Sequence, residues 1–268
     1  MDDATIAVVE TSAPAWDDQR VPMALHALHR SLEVGATAEL IDTGRRFSSW
    51  PAERLTDVIE GAGFSIHERA TVCRDDGDAE GDAKDKGTGE DAAETAHVVL
   101  LTRQRTLADT VGPGMRLLVC GLNPSLYAAD AGAGFARPGN RFWPAAIEAG
   151  LVARANDPVH ALTAHGVGMT DLVKRASPRA DDLSREEYRH GLDRIDRLAG
   201  WLQPRAICFV GLAGWRAAVD RKATTGIQER RLGGQPVYVM PNTSGVNASS
   251  SLADLTDHLR AARALAAA

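Results

Sequence analysis

The spacing of apolar residues changes along the chain near residue 112. In the first part, residues 21–32 and 51–62 carry apolar side chains at helical spacing, and each run is followed by glycine. Short apolar runs predict strands over residues 5–10, 38–41, 64–72 and 97–102. The pattern indicates a small α/β part, which we assign to residues 1–106.

Residues 74–96 separate the last two of these predicted strands. They contain no large apolar side chain and are dominated by Asp, Glu, Gly and Lys, and such a segment cannot bury enough surface to order itself. We therefore predict a disordered acidic loop at the tip of a long hairpin. A solvated spacer is the favoured interpretation, and mimicry of DNA by the acidic run is the alternative.

After Gly-Pro-Gly at 112–114, predicted strands alternate with predicted helices. The strands are 116–120, 206–211 and 236–240, the helices are 141–149, 185–202, 214–220 and 252–265, and a turn is predicted at 165–172. This alternation favours an α/β fold, a three-layer α/β/α sandwich with a mainly parallel central sheet. We assign it to residues 107–268.

Charge and cysteine content narrow the classes of protein. The net charge of −6 over 268 residues divides into −11 for residues 1–110 and +5 for residues 111–268, so the second part is compatible with a nucleic-acid partner. No apolar run reaches the length of a membrane span, and the N-terminus has no pattern of a secretion signal. Three scattered cysteines predict neither a disulfide framework nor an iron–sulfur cluster. A reducing cytoplasm fits, and Cys120 and Cys208 are predicted to be core residues.

Candidate chemistry lies at residues 117–125, LLVCGLNPS. The apolar run predicts a buried strand, and Pro124 restricts the backbone of Asn123 directly after it. Ligands bind at the carboxyl ends of strands in open α/β sheets, so Asn123 is a candidate site residue. A turn that merely contains Asn-Pro is the alternative.

Four blocks together carry a resemblance: GLNPS at 121–125, GFARPGNRFWPA at 134–145, GMTDLVKRAS at 168–177 and MPNTSG at 240–245. Their order and spacing resemble the mismatch-specific uracil / thymine DNA glycosylase family of the uracil-DNA glycosylase superfamily. The resemblance implies base excision repair by base flipping and hydrolysis of the N-glycosidic bond. It implies that Asn123 holds the attacking water. The active-site blocks hold no lysine before Lys174, so a monofunctional enzyme is expected.

The resemblance also implies the binding residues. Those implied to contact the base are Gly121, Leu122, Ser125, Phe135, Asn140 and Asn242, and those implied to contact DNA are Ser244, Gly245, Val246 and Asn247, with Val246 at the wedge position. Structural alternatives stand beside three of these assignments: a core position for Phe135, a helix cap for Asn140 and a helix-capping turn for residues 240–250. Lys174, Arg175 and Arg179 contact phosphate or form a solvated face.

Departures from the family pattern affect specificity. Ser125 replaces a common glycine, Ala128 stands where some members have serine, and Ala248 replaces an arginine that contacts the opposite strand in some members. The choice among uracil, thymine and other damaged pyrimidines, notably opposite G, therefore stays open.

The first part resembles the C-terminal half of a class I methyltransferase through ALHALHRSLEVGA and WPAERLTDVIEGAGFSIHER. The Gly-rich turn that would hold S-adenosylmethionine is missing, so this resemblance implies a truncated platform. We expect a monomer in the cytoplasm that is associated with the nucleoid and acts on DNA. We expect no cofactor and no membrane partner. We also expect no metal site, because His67 and His165 lack partners at metal-ligand spacing. The alternatives are a weak or inactive binder of damaged bases or abasic DNA, and a small-molecule methyltransferase.

Overall fold

Two β-sheets organise the protein in the computed structural model, which describes residues 7–10, 19–42, 47–73, 95–179 and 182–268. The first sheet is formed by β1 (Ala7–Glu10), β2 (Thr37–Asp42), β3 (Phe64–Cys73) and β4 (Thr95–Arg103), and its helices are α1 (Val21–Ser31) and α2 (Ala52–Gly61). A 3-10 turn, Phe47–Ser49, precedes α2. The strand order is β1-β2-β4-β3. Leu25 of α1 and Ile59 of α2 pack with Leu40 and Leu101 of the sheet in one core.

The predicted hairpin is confirmed, because β3 and β4 pair in antiparallel register. One boundary of the predicted loop is wrong: Thr95 and Ala96 belong to β4, opposite Cys73 and Val72. Ladder hydrogen bonds come from the backbone, so small residues extend a strand without an apolar side chain. Residues 74–94 of that prediction lie outside the described residues.

The second sheet has the strand order β6-β5-β7-β9-β8. Its strands are β5 (Leu117–Gly121), β6 (Val167–Asp171), β7 (Ala206–Val210), β8 (Gly226–Leu232) and β9 (Gln235–Met240). Its helices are α3 (Leu126–Ala131), α4 (Phe142–Glu148), α5 (Pro158–His165), α6 (Arg185–Leu202), α7 (Leu212–Ala218) and α8 (Leu252–Leu265). All pairings are parallel except that of β8 with β9.

Alternate residues of β5 face two separate cores. Leu117 and Val119 pack with α4, α5 and α8, whereas Leu118 and Cys120 pack with α6 and α7. The predicted three-layer α/β/α sandwich is therefore confirmed. Cys120 and Cys208 are both buried core residues, as predicted. No helix within the described ranges is long and apolar enough to cross a membrane.

The prediction of a turn over residues 165–172 is wrong, since these residues contain strand β6 paired with β5. Gly168 caused the error, because glycine interrupts the apolar pattern of a strand. A Cβ atom at Gly168 would clash with the sulfur of Met115, so the glycine accommodates a close packing contact rather than a turn. Helices α3 and α5 and strand β8 were not predicted.

The two sheets are joined through helix α6. Arg197 of α6 forms a two-pronged ion pair with Asp57 of α2, at 2.6 and 2.8 Å. Trp201, one turn further along α6, packs edge-on against Trp50 with ring centroids 5.2 Å apart. Helix α6 therefore serves both parts of the chain.

Buried His29 links stability to pH. Its Nε2 bonds the carbonyl of Gln104 at 3.2 Å, while its buried Nδ1 has no hydrogen-bond partner among the residues that the structure describes. Burial, and next the charge of Arg103, lower the pKa of His29 to about 4 from its ordinary 6.5. The unfolded chain therefore takes up this proton at higher pH than the folded chain. His29 should reduce the free energy of unfolding by about 2 kcal/mol as the pH falls from about 7 to about 4.5.

Urea denaturation at both pH values checks this expectation. The variant His29→Gln retains a side-chain donor for Gln104 and lacks the titrating ring, so its stability should change less with pH than that of the wild type. An equal loss of stability in both proteins would contradict the assignment.

Candidate active site

A cavity of about 250 Å³ lies at the carboxyl ends of β5, β6, β7 and β9. It is lined by Asn123 and by all six residues implied to contact a base: Gly121, Leu122, Ser125, Phe135, Asn140 and Asn242. Ser244, one of the four implied DNA contacts, also lines it. A larger cavity of about 650 Å³ lies between α2, β3 and residues 174–176, away from these strand ends. We take the smaller one as the candidate active site because strand-end side chains converge there.

The side chain of Asn123 is held in one orientation. Its Nδ2 donates to the carbonyl oxygen of Arg175 at 3.2 Å and to the hydroxyl of Ser177 at 2.9 Å. A carbonyl oxygen only accepts, so the amide nitrogen must face Arg175 and the Oδ1 atom must face the other way. Within the described part of the chain, Oδ1 has no hydrogen-bond partner. It is therefore available to accept a hydrogen bond from a water molecule.

Phe135 presents an aromatic ring to the cavity. One face of the ring stacks on Phe142, with centroids 4.2 Å apart and planes 24° apart. The backbone of Phe135 is left-handed, with φ of 60°, which a bulky residue rarely adopts. Phe135 is only partly buried, whereas Phe142 and Trp143 are core residues.

Two of the implied base contacts also bond backbone amides where helices begin. Ser125 is the N-cap of α3, and its hydroxyl accepts from the backbone of Ala128 at 3.2 Å. The Oδ1 of Asn140 accepts from the backbone of Phe142 at 2.9 Å, but the N-cap of α4 is Arg141, so the N-cap alternative for Asn140 is wrong. Both side chains line the cavity.

Arg141 shapes the loop after β9, and the sequence analysis missed it. Its guanidinium donates to the carbonyl oxygens of Ser244, Asn247 and Ser250. The implied DNA contacts Gly245, Val246 and Asn247 lie on this loop, outside the cavity lining. The side chain of Val246 is 91 % exposed, so the loop presents an apolar tip to solvent.

Asp171 at the end of β6 is a second missed site residue. A Cβ atom at Gly121 would clash with the Oδ1 of Asp171 and would lie 3.4 Å from the ring of Phe135, so carboxyl and ring lie side by side over Gly121. In the described ranges the carboxyl makes no hydrogen bond. Burial raises the pKa of Asp171 to about 6, with the charge of Asp109 also raising it and those of Lys174 and Arg194 opposing. The cavity thus contains a carboxyl group that titrates near neutral pH.

The phosphate contact considered for Lys174 is wrong. Lys174 is only 6 % exposed, and its ammonium bonds the Oδ1 of Asp109 at 2.7 Å, so it cannot reach DNA. Arg175 pairs with Glu187 at 2.6 Å on the surface. The described residues include no group of three or more His, Cys, Asp or Glu side chains that could hold a metal ion.

Two comparisons, one of structure and one of sequence, relate the chain to known proteins. A structural search finds the solution NMR structure of a "putative Uracil DNA glycosylase" from Methanosarcina acetivorans, with 22 % identity, a TM-score of 0.44, and coverage of 60 % of this chain and 97 % of that one. The family model of the Uracil DNA glycosylase superfamily matches residues 108–266, more than half of the chain, and these residues include Asn123 and all the implied base and DNA contacts. The chain therefore belongs to the uracil DNA glycosylase superfamily, whose members are DNA glycosylases.

Proposed function

We propose that the protein is a monofunctional DNA glycosylase that removes uracil from DNA, with thymine or other damaged pyrimidines opposite G as further substrates. The observation that carries the proposal is the fixed orientation of Asn123 beside the ring of Phe135 in one cavity. Hydrolysis of an N-glycosidic bond needs a positioned water on one side of the sugar and a bound base on the other. Asn123 and Phe135 supply these two functions.

The rate of the reaction depends mainly on how readily the base leaves. The Oδ1 of Asn123 accepts a hydrogen bond from water, whose oxygen attacks C1′ of the deoxyribose while the bond to N1 of the base breaks. The bonding electron pair departs with the base, the attacking water gives up a proton to bulk solvent, and the released base anion takes up a proton from solvent. An amide is a poor proton acceptor, so the rate depends on stabilising the sugar cation and the departing base. Uracil, a better leaving group than an unmodified cytosine, suits this arrangement.

The geometry also supports base flipping. A base inside a duplex cannot reach the cavity, so it must rotate out and stack on the free face of Phe135. The exposed Val246 is placed to fill the gap that the base leaves, and the small polar residues around it offer donors to phosphates. With Ala248 beside it, this tip has no arginine for the opposite strand, so we propose weak discrimination of the opposite base.

Excision from oligonucleotides that carry a single uracil tests the function. We expect the wild type to release uracil from the U·G duplex, and from the U·A duplex at a rate within about tenfold. A contact to the opposite base is worth about 1–3 kcal/mol of discrimination, and Ala248 cannot make one. Excision from single-stranded DNA with uracil and from a T·G duplex shows which strands and bases the enzyme accepts as substrates. Binding without release from any of these substrates would instead favour an inactive binder of damaged bases.

We further propose that the protein acts as a monomer on DNA in the cytoplasm and that residues 1–106 form a methyltransferase-like platform. The order of α2, β3 and β4 supports the platform, because WPAERLTDVIEGAGFSIHER resembles the last helix and strand before a closing hairpin in that family. Calorimetry with S-adenosylmethionine tests whether any binding function is retained. Absence of binding is expected.

A further inference from the structure

The loop of residues 172–177 orients Asn123, and this loop is itself held by the connection between β4 and β5. Beyond the paired strands, the backbones of residues 172–177 and 121–124 continue side by side: Leu172 donates to Gly121 at 2.9 Å, Val173 to Leu122 at 2.9 Å, and Ser177 to Pro124 at 3.1 Å. The two acceptors of the Asn123 amide, Arg175 and Ser177, lie in this segment. The orientation of Asn123 therefore depends on where residues 172–177 lie.

Lys174 anchors residues 172–177 through both its side chain and its backbone. Its ammonium bonds the carboxylate of Asp109 at 2.7 Å, and its backbone carbonyl accepts from the hydroxyl of Thr106. Both partners belong to the connection between β4 and β5. Lys174 immediately precedes Arg175, so displacement of Lys174 would move the carbonyl that orients Asn123.

Asp109 is held from every side. Its carboxylate also accepts from Thr170 at 2.7 Å and from Arg194 of α6 at 2.8 Å, and the residue is 4 % exposed. Burial alone would raise the pKa of Asp109, but Arg194 and Lys174 hold it below its ordinary value. Asp109 is thus a charged link between β6, α6 and the loop.

The backbone of Asp109 is clamped by the helices of the first sheet. Its amide donates to the carbonyl of Gly61 in α2 at 2.7 Å, and its carbonyl bonds the Nδ1 of His26 in α1 at 3.2 Å. A Cβ atom at Gly61 would lie 2.5 Å from the Asp109 carboxylate, so only glycine allows this approach. The position of Asp109 is therefore set by the first part of the chain.

We propose that Asp109 is a positioning residue that acts through Lys174 and the loop 172–177 on the orientation of the Asn123 amide, so that α1 and α2 serve the active site. The inference rests on the proposed function. A buried ion pair that contributes only to stability would give the same structure, so the test must separate stability from positioning.

The chain offers a matched control for that separation. Asp57 and Asp109 both join the helices of the first sheet to α6, through Arg197 and Arg194, which are neighbours on that helix. Only Asp109 also bonds the loop through Lys174. Asp109→Asn and Asp57→Asn each remove one carboxylate charge at this junction, but only the first loosens the loop.

Single-turnover excision with saturating enzyme on a U·G duplex is measured for both variants, at a temperature where each is folded by circular dichroism. Asp109→Asn is expected to lower the rate roughly fivefold, while Asp57→Asn stays within twofold of the wild type. Affinity for a duplex with an uncleavable abasic analogue should be unchanged in both. In a background of Asn123→Ala, Asp109→Asn should have no further effect on the residual rate. Equal rates for the two variants, or an undiminished effect in that background, would overturn the proposal.

The side-chain amide resonances of Asn123 in a ¹⁵N-labelled protein provide a readout that needs no activity. They should shift in Asp109→Asn and stay in place in Asp57→Asn. If Asp109→Asn does not fold, Thr106→Val, which removes only the hydrogen bond to Lys174, replaces it in both measurements with the same expectations. A wild type without excision would contradict the proposed function, whereas unmoved Asn123 resonances would contradict only the positioning role.

Discussion

Replacing Asn123 by alanine is expected to lower the rate of uracil excision at least about a hundredfold while binding to abasic DNA is retained. The reason is the orientation of the amide. Its nitrogen donates to Arg175 and Ser177, so its oxygen is the atom that we propose holds the water. Alanine removes that acceptor without adding a group that could clash with DNA. Single-turnover excision on a U·G duplex, with affinity for an uncleavable abasic analogue beside it, measures both effects.

Ser177→Ala is the matched control for this substitution. It removes one of the two main acceptors of the Asn123 amide and leaves Asn123 itself in place, with the Arg175 carbonyl still available. Its rate should therefore lie between those of the wild type and of Asn123→Ala. An Asn123→Ala variant that excises uracil at the wild-type rate would show that another group holds the water.

The position of Asn123 could be predicted from the sequence because the signals are local. An apolar run closed by Gly-Leu-Asn-Pro specifies a buried strand and a stiff turn, and β5 ends where this pattern places its end. The helices α6 and α8 follow from their spacing in the same way. Their Ser caps, at Ser184 and Ser251, are also local features.

Asp171 could not be predicted from the same signals. Gly168 made its segment resemble a turn, so the carboxylate was not placed at a strand end beside Asn123. Burial is the main cause that raises the pKa of Asp171, and two of the charges that act on it, Asp109 and Arg194, are distant in sequence. No local pattern indicates either the burial or these two partners. The role of Arg141 was hidden for a similar reason, since its three acceptors lie more than 100 residues away.

The burial of Lys174 also depends on a partner that is distant in sequence. Lysine in a polar segment near a turn is typical of a solvated face or a phosphate contact. Here its long side chain instead reaches Asp109, 65 positions earlier in the chain. Only the packing of the first part of the chain against α6 and β6 creates that buried partner.

Ionisation of Asp171 is expected to lower the rate of uracil excision roughly tenfold between about pH 5 and about pH 7.5. The carboxyl lies beside the Phe135 ring, on the side of the cavity that we propose receives the base. Negative charge builds up on the base as it departs, so a carboxylate there repels it, whereas the neutral acid can donate a hydrogen bond to it. With a pKa of about 6, the neutral form is lost as the pH rises through this range.

The variant Asp171→Asn isolates this effect, because an amide has similar shape, can donate a hydrogen bond and does not titrate. Its excision rate should be nearly independent of pH over the same range and should exceed that of the wild type at about pH 7.5. Single-turnover rates across the pH range are compared for the two proteins, with Asn123→Ala as the background for non-enzymatic loss of uracil.

The opposite slope would be equally informative about the chemistry. If the wild-type rate rises with pH through about 6 and Asp171→Asn is slow throughout, the carboxylate acts as a general base that takes a proton from the attacking water. Asp171 would then serve the water that Asn123 holds, and the repulsion argument would be wrong. A wild-type profile that is flat and matches that of Asp171→Asn would exclude both roles, because a carboxyl group that touches neither base nor water cannot change the rate when it ionises.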